Sequence, residues 1–212
     1  YPYGFGNEGC ANFSVSQDGQ SRGFTSLLTV DLDDDVLRVE SDHVMTNWPV
    51  LYASEDTLVL AELAQDWWWY WGNEGFTEAT NLHRFDITGS NTTYTGSGRV
   101  AGVVTDQFAL DVHDGQVRVA ATEGQWGRWW EPEPEPPTTA VTVLEGDTTL
   151  VPIGAVSGIA PEERLWSVRF TDDEAFLVTF QNIDPLWTID LSNPRAPQVI
   201  GELEVPGVST YI

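Results

Sequence analysis

The chain contains no lysine; each of its nine basic residues is an arginine. That absence removes a class of chemistry, because neither a Schiff base nor a P-loop lysine can form. There is one cysteine, Cys10, among 212 residues. No disulfide can close within the chain, and the thiol is either free or paired outside it. No stretch approaches the roughly 18–20 consecutive apolar residues of a membrane-spanning helix, so membrane insertion is not expected. Helical periodicity of useful length is missing too. Positive charge is scarce: 33 acidic residues leave a formal charge of −24. Such a field repels nucleic acid and anionic lipid, and neither is an expected partner. Cationic partners, divalent ions or a high-salt habitat stay open, beside the plainer reading of an acidic, well-solvated surface. The chain opens on Tyr1 rather than Met and is expected to be a processed or excised piece.

What the chain has in excess is tryptophan. Trp67, Trp68, Trp69, Tyr70 and Trp71 stand in a row, and Trp126-Gly127-Arg128-Trp129-Trp130 follows about one repeat later. Together the two insertions hold seven of the ten tryptophans. Between them run short β-branched segments bounded by Asp, Gly, Ser and Asn turns, the pattern of strands. A hairpin is expected over 24–45. Strands follow at 50–53, 57–61, 80–87 and 94–104, with the first insertion after the second of them. The theme repeats at 107–112, 116–121, 140–144 and 150–159, with the second insertion in the same place. It repeats again at 164–170, 175–180, 186–191 and 198–205. Asp114-Gly115 is a strong hairpin-turn signal. Alternation puts Phe108, Leu110 and Val112 on one strand face, and Trp187, Ile189 and Leu191 on another.

Four short strands recurring every 45–55 residues or so are the signature of β-propeller blades. The predicted fold is all-β, with blades of four antiparallel strands at 50–104, 107–160 and 164–206. Residues 1–45 supply a loop plus the outer strands of a preceding blade, and 207–212 start a following one. The ends could pair to close a small four-bladed ring, but the favoured whole is an arc of a larger propeller, since an open apolar blade face is rarely tolerated by a soluble monomer. Its remaining blades would lie elsewhere in the parent chain or come from self-association with another copy. In such a ring the first–second and third–fourth strand turns share one face. The second–third loops share the other. The acidic turns are therefore predicted to line one face and the tryptophan insertions the opposite one.

The segments YASEDTLVLAE (52–62), TNLHRFDI (80–87), TGSGRVAGVVTDQFALDVHDGQVRVAATEG (95–124) and the run from Arg164 to Ile212 resemble secreted prokaryotic proteins with a C-terminal β-propeller domain. The resemblance covers most of 24–212 and is most specific from Arg164 onward. It implies an upstream signal sequence, export to the cell surface or the extracellular space, and blades distantly similar to WD-type repeats. It also implies a propeller that continues beyond PGVSTYI. It supplies no catalytic residues. The aromatic insertions and the run EPEPEPP are not explained by it.

The candidate ligand-binding residues are Trp67, Trp68, Trp69, Tyr70, Trp71, Trp126, Trp129 and Trp130. Exposed indole and phenol rings suit sugar rings, quaternary ammonium groups or a protein partner's arginine. The competing reading is that long loops need a small core of their own, and tryptophans from neighbouring insertions pack on each other. Asp31, Asp33 and Asp35 could offer oxygens to Ca²⁺, but the run lacks the Gly and the distal Glu of an EF-hand loop. The run 131–137 reads as a stiff polyproline II spacer. His43, His83 and His113 are too dispersed for a metal site, and His83 reads as a hydrogen-bonded sheet residue. Gly96-Ser97-Gly98 lacks the strand–elbow–helix setting of a hydrolase nucleophile. No catalytic residue is assigned, and no cofactor beyond the possible Ca²⁺ is expected. The favoured function is a secreted or surface-exposed, non-enzymatic binding or scaffold module with a protein or glycan ligand. The alternatives are an extracellular glycan-active hydrolase or lyase, which needs two facing carboxylates, and a purely structural assembly module.

Overall fold

The computed structural model of the protein describes residues 13–15, 23–32, 38–46, 48–64, 78–89, 91–124, 136–180 and 184–205. The described residues are almost entirely strand. A leading hairpin joins β2 (Thr25–Asp31) to β3 (Arg38–Met45), with β1 (Phe13–Val15) alongside β3. The first blade is β4 (Val50–Ala53), β5 (Thr57–Leu63), β6 (Ala79–Asp86) and β7 (Thr93–Ala101). The second is β8 (Leu110–His113), β9 (Gln116–Glu123), β10 (Thr138–Glu145) and β11 (Thr149–Ile159). The third is β12 (Arg164–Phe170), β13 (Glu174–Phe180), β14 (Asp184–Asp190) and β15 (Gln198–Val205). Each blade is an antiparallel meander, as the spacing of hairpin turns predicts. The outermost strands of the first two blades also meet in a short parallel bridge, Thr149 opposite Ser97 and Leu150 opposite Gly98.

Blades stack face to face, and apolar side chains fill the space between them. The middle blade shows this best: β9 is buried without interruption from Val117 to Thr122, whereas a sheet with one wet face would alternate. Val117, Val141, Val143, Leu144, Leu177 and Ile189 form the main core. A smaller cluster of Val44, Leu60 and Phe85 joins the leading hairpin to the first blade.

At Asp114-Gly115 both residues have positive φ, 49° and 75°. That is the backbone a two-residue type I′ hairpin requires, and it explains the Asp-Gly pair. The third–fourth turns of the first and third blades use another device. Asp86 accepts from Thr88 N at 2.8 Å, and Asp190 from Ser192 N at 2.9 Å. Hydrogen bonds from the Thr88 and Ser192 side chains, then from their backbone, hold both carboxyls below the ordinary range. Their small contribution to stability is in place above that range and is lost as pH falls through the lowered folded value.

One expectation needed correction. Residues 107–112 do not form a continuous strand. Asp106 caps a 3-10 turn at Gln107–Ala109 by accepting from Phe108 N, and the strand starts at Leu110. Phe108 therefore leaves the alternating face and is 43% exposed, while Leu110 is buried. Within residues 1–45, read as a loop plus outer strands, β1 pairs with β3 in parallel, and Phe13 stacks on His43 with centroids 4.6 Å apart.

One rung of the sheet recurs in all three blades. It reads Tyr52–Val59–Arg84–Gly96, then Asp111–Arg118–Val143–Gly154, then Arg169–Phe176–Thr188–Gly201. A register shift beside each glycine leaves Thr95, Ile153 and Ile200 as unpaired bulge residues. The glycines permit backbone contact between blades: a Cβ at Gly96 would sit 2.3 Å from Asp147 O, in the third–fourth turn of the next blade. Gly96→Ala should therefore cost about 1–3 kcal/mol by overpacking. Gly89→Ala, whose Cβ would meet nothing nearer than 3.8 Å, should stay within about 0.5 kcal/mol of the parent. Urea denaturation of the two variants measures the difference.

Candidate functional site

The innermost strands β4, β8 and β12 converge on a cavity of about 370 Å³ lined by Tyr52, Gln107, Phe108, Asp111, Arg169 and Phe170, among others. Its position is that of the central channel of a propeller. Tyr52, Asp111 and Arg169 occupy the same rung in successive blades, so the repeat itself brings them together. The 3-10 turn adds Phe108, which is why the break in that strand matters for the site.

Among the described residues Asp111 is the one carboxylate on this wall, and it is already engaged. Arg118 pairs with its Oδ2, the Nε at 2.6 Å and Nη2 closer still. The arginine is 4% exposed, and its guanidinium also donates from Nη1 to Asp172 O at 2.7 Å and from Nη2 to Thr171 O at 2.8 Å. It lies 5.4 Å from the centroid of the Phe170 ring. A planar fork with five donors fits this set of acceptors; an ammonium would not. Asp111 Oδ1 accepts from the Tyr52 hydroxyl at 3.4 Å, and that hydroxyl accepts from Val112 N at 3.4 Å. Burial first, and the Asp111 charge second, raise the Tyr52 pKa. The neutral phenol is the favoured form, and its contribution is lost only as pH rises through the raised value. The wall thus offers aromatic faces, one amide and one arginine. Among the described residues it does not offer two facing carboxylates.

A second polar cluster is sealed between the leading hairpin and the first blade. His83 Nε2 donates to Glu62 Oε1 at 3.2 Å, and both side chains are buried. His83 Nδ1 accepts from the Tyr94 hydroxyl at 3.1 Å. This is the hydrogen-bonded sheet histidine expected from the sequence. His43 is likewise bonded, to Ser26 Oγ at 2.8 Å.

The loops of interest leave from one face. Residues 65–77 connect β5 to β6 and 125–135 connect β9 to β10, both second–third connections opposite the hairpin turns. Trp67, Trp68, Trp69, Tyr70, Trp71, Trp126, Trp129 and Trp130 all lie outside the described residues, as do Asp33 and Asp35. Asp31 ends β2 opposite Arg38. Among the described residues no group of three or more His, Cys, Asp or Glu could hold a metal ion. No helix among them is long and apolar enough to cross a membrane. Sequence reasoning missed the Asp111–Arg118 pair and the glycine rung. The signal was present: an arginine three residues after a hairpin turn, and a glycine inside each outermost strand.

Arg118→Ala should cost about 3–5 kcal/mol, because it strands a half-buried carboxylate and two turn carbonyls. Arg118→Lys should recover little of that. Denaturant titration checks both. In ultraviolet absorbance titration, Tyr52→Phe should remove a phenol that ionises above the ordinary value near 10.

A family model described as a beta propeller domain matches residues 6–212. An uncharacterized protein of Methanocaldococcus jannaschii is 41% identical over 132 residues, 62% of this chain and 19% of that protein. An uncharacterized protein of Archaeoglobus fulgidus is 38% identical over 117 residues, 55% of this chain and 17% of its own length. The matched stretch therefore spans less than a fifth of either relative.

Proposed function

The chain belongs to the beta-propeller domain family, and from that premise we propose that it is a non-enzymatic binding or scaffold module, secreted or held at the cell surface. Its contact face would be the one from which the two tryptophan insertions leave, and its ligand a protein or a glycan. The observation that carries this reading is the state of Asp111. Among the described residues, the one carboxylate on the wall of the inner cavity is tied to the buried Arg118, so that acid is not free to pair with a second. General acid–base hydrolysis of a glycan needs two such groups. Aromatic faces with a few hydrogen-bonding edges instead suit recognition. The lack of lysine and the −24 charge disfavour nucleic acid as the ligand.

Acrylamide quenching of tryptophan fluorescence tests the contact face directly, because the quencher is neutral and seven of ten indoles are in the insertions. Strong quenching that a glycan or peptide from a binding screen reverses is the expected outcome. Weak quenching would show the insertions packed on themselves and would remove them as a contact surface.

A further inference from the structure

Two tripeptides of the chain read Asn-x-Ser/Thr with no proline between, Asn12-Phe13-Ser14 and Asn91-Thr92-Thr93. That pattern is what an asparagine-linked glycan requires of its acceptor. Asn12 lies outside the described residues. Asn91 is described, and it is exposed in the third–fourth turn of the first blade, just ahead of β7.

The equivalent turns of the other two blades are seated on a neighbour. A Cβ at Gly96 would lie 2.3 Å from Asp147 O in the second blade's turn, and one at Gly154 would lie 2.3 Å from Pro194 O in the third's. The second blade's turn has three residues, 146–148; the first blade's has six, 87–92. This longer turn is pinned at its two ends. Asp86 Oδ1 accepts from Thr88 N at 2.8 Å and from Thr88 Oγ1 at 2.6 Å. At the other end the hydroxyls of Thr92 and Thr29, on β2, are bonded at 2.7 Å. Thr92 is half-buried by that contact, while Asn91 and Thr93 on either side of it are exposed. Residues two apart in extended chain share a side. The amide and the hydroxyl that a glycan-transferring enzyme reads are therefore presented together, at the fixed start of a strand.

We infer that Asn91 is a glycosylation site, and that its co-substrate is an oligosaccharide carried on a polyprenyl phosphate or diphosphate. Asn91 Nδ2 attacks C1 of the first sugar; the N–C1 bond forms as the bond from C1 to the phosphate oxygen breaks. The lipid-linked phosphate departs with the bonding electron pair, and the amide proton passes to a base of the transferase. Glycosylation of this kind requires the export proposed above. Its position suits that reading, because the third–fourth turns lie on the face opposite the loops 65–77 and 125–135. A bulky, hydrated glycan at Asn91 leaves the proposed contact face clear.

Trypsin, cutting after Arg84 and Arg99, releases residues 85–99, in which Asn91 is the one asparagine. The full-length protein is recovered from the cells that make it, in separate exported and cytoplasmic fractions, and mass spectrometry reads this peptide. The expected result is an added oligosaccharide mass on the exported protein. That mass is lost in Asn91→Gln and in Thr93→Ala, and kept in Thr93→Ser, which retains the hydroxyl. An unmodified peptide in exported protein overturns the assignment and leaves the proposed function standing. A sugar mass that survives Asn91→Gln sits on a hydroxyl and overturns it as well. Protein confined to the cytoplasm overturns the proposed export, and the glycosylation with it. Asn91 is not among the residues of positive φ, so glutamine fits its backbone, and near-ultraviolet circular dichroism checks that each variant is folded.

Discussion

Backbone set directly on backbone, with no side chain between, is the contact on which this structure depends. Stacked sheets ordinarily lie about 10 Å apart, with interdigitated side chains filling the gap. At the outer edge of these blades that gap closes to nothing, because the turn of one blade lies on the strand of the one before. The glycines at 96 and 154 make the approach possible. The bulge beside each glycine re-aims the strand so that the contact occurs at its edge. The tilt of one blade on the next is therefore set by close steric contact, which tolerates less variation than a greasy interface would.

Electrostatics reinforce the same junctions. A turn exposes unpaired carbonyls, and here arginines from the preceding blade take them. Arg84 donates to Gly146 O and Asp147 O at 2.8 and 2.9 Å, and Arg118 to the carbonyls of Thr171 and Asp172. Arg195 reaches back from the third blade to Glu145 at 3.1 Å. In a chain with nine cations against 33 acids, Arg84, Arg118 and Arg195 are at blade junctions. Their positive charge lies among the acidic turns, where it offsets repulsion that would otherwise push those turns apart. Lysine would serve poorly at these places, since a compact ammonium cannot divide its donors among acceptors spread around a plane. The composition that looks odd along the chain is intelligible at the junctions.

The fold class was legible because it rests on local signals. Asp-Gly at 114–115 specifies a hairpin by backbone conformation alone, and the runs around Ile189 and Val119 alternate or persist as buried strands must. The start of β8 was not legible, because Asp106 captures the Phe108 amide before the strand can begin, and an alternating pattern continues across the break by chance. The parallel placing of β1 was also hidden: three residues carry no register information, and the stacking of Phe13 on His43 decides it. As for the site, the sequence shows which residues are unusual but not which are neighbours. Asp111 and Arg118 are separated by a hairpin, and the value of the pair comes from carbonyls more than fifty positions further on. The tryptophan insertions were the most visible feature of all, yet nothing in local periodicity says whether an aromatic run faces solvent or itself.

The short parallel bridge between β7 and β11 has a mechanical meaning. Through it the first and second blades are one sheet of eight strands, ordered from β4 to β8 with the bridge at the centre. Sliding one blade past the other along the strand direction would load these hydrogen bonds in shear, together rather than one by one. Side-chain packing between blades can slide; a backbone ladder has to break. The pair of blades should therefore behave under stress as a single stiff plate. Any bending of the arc would then concentrate at the junction with the third blade, which among the described residues has no such ladder to its neighbour.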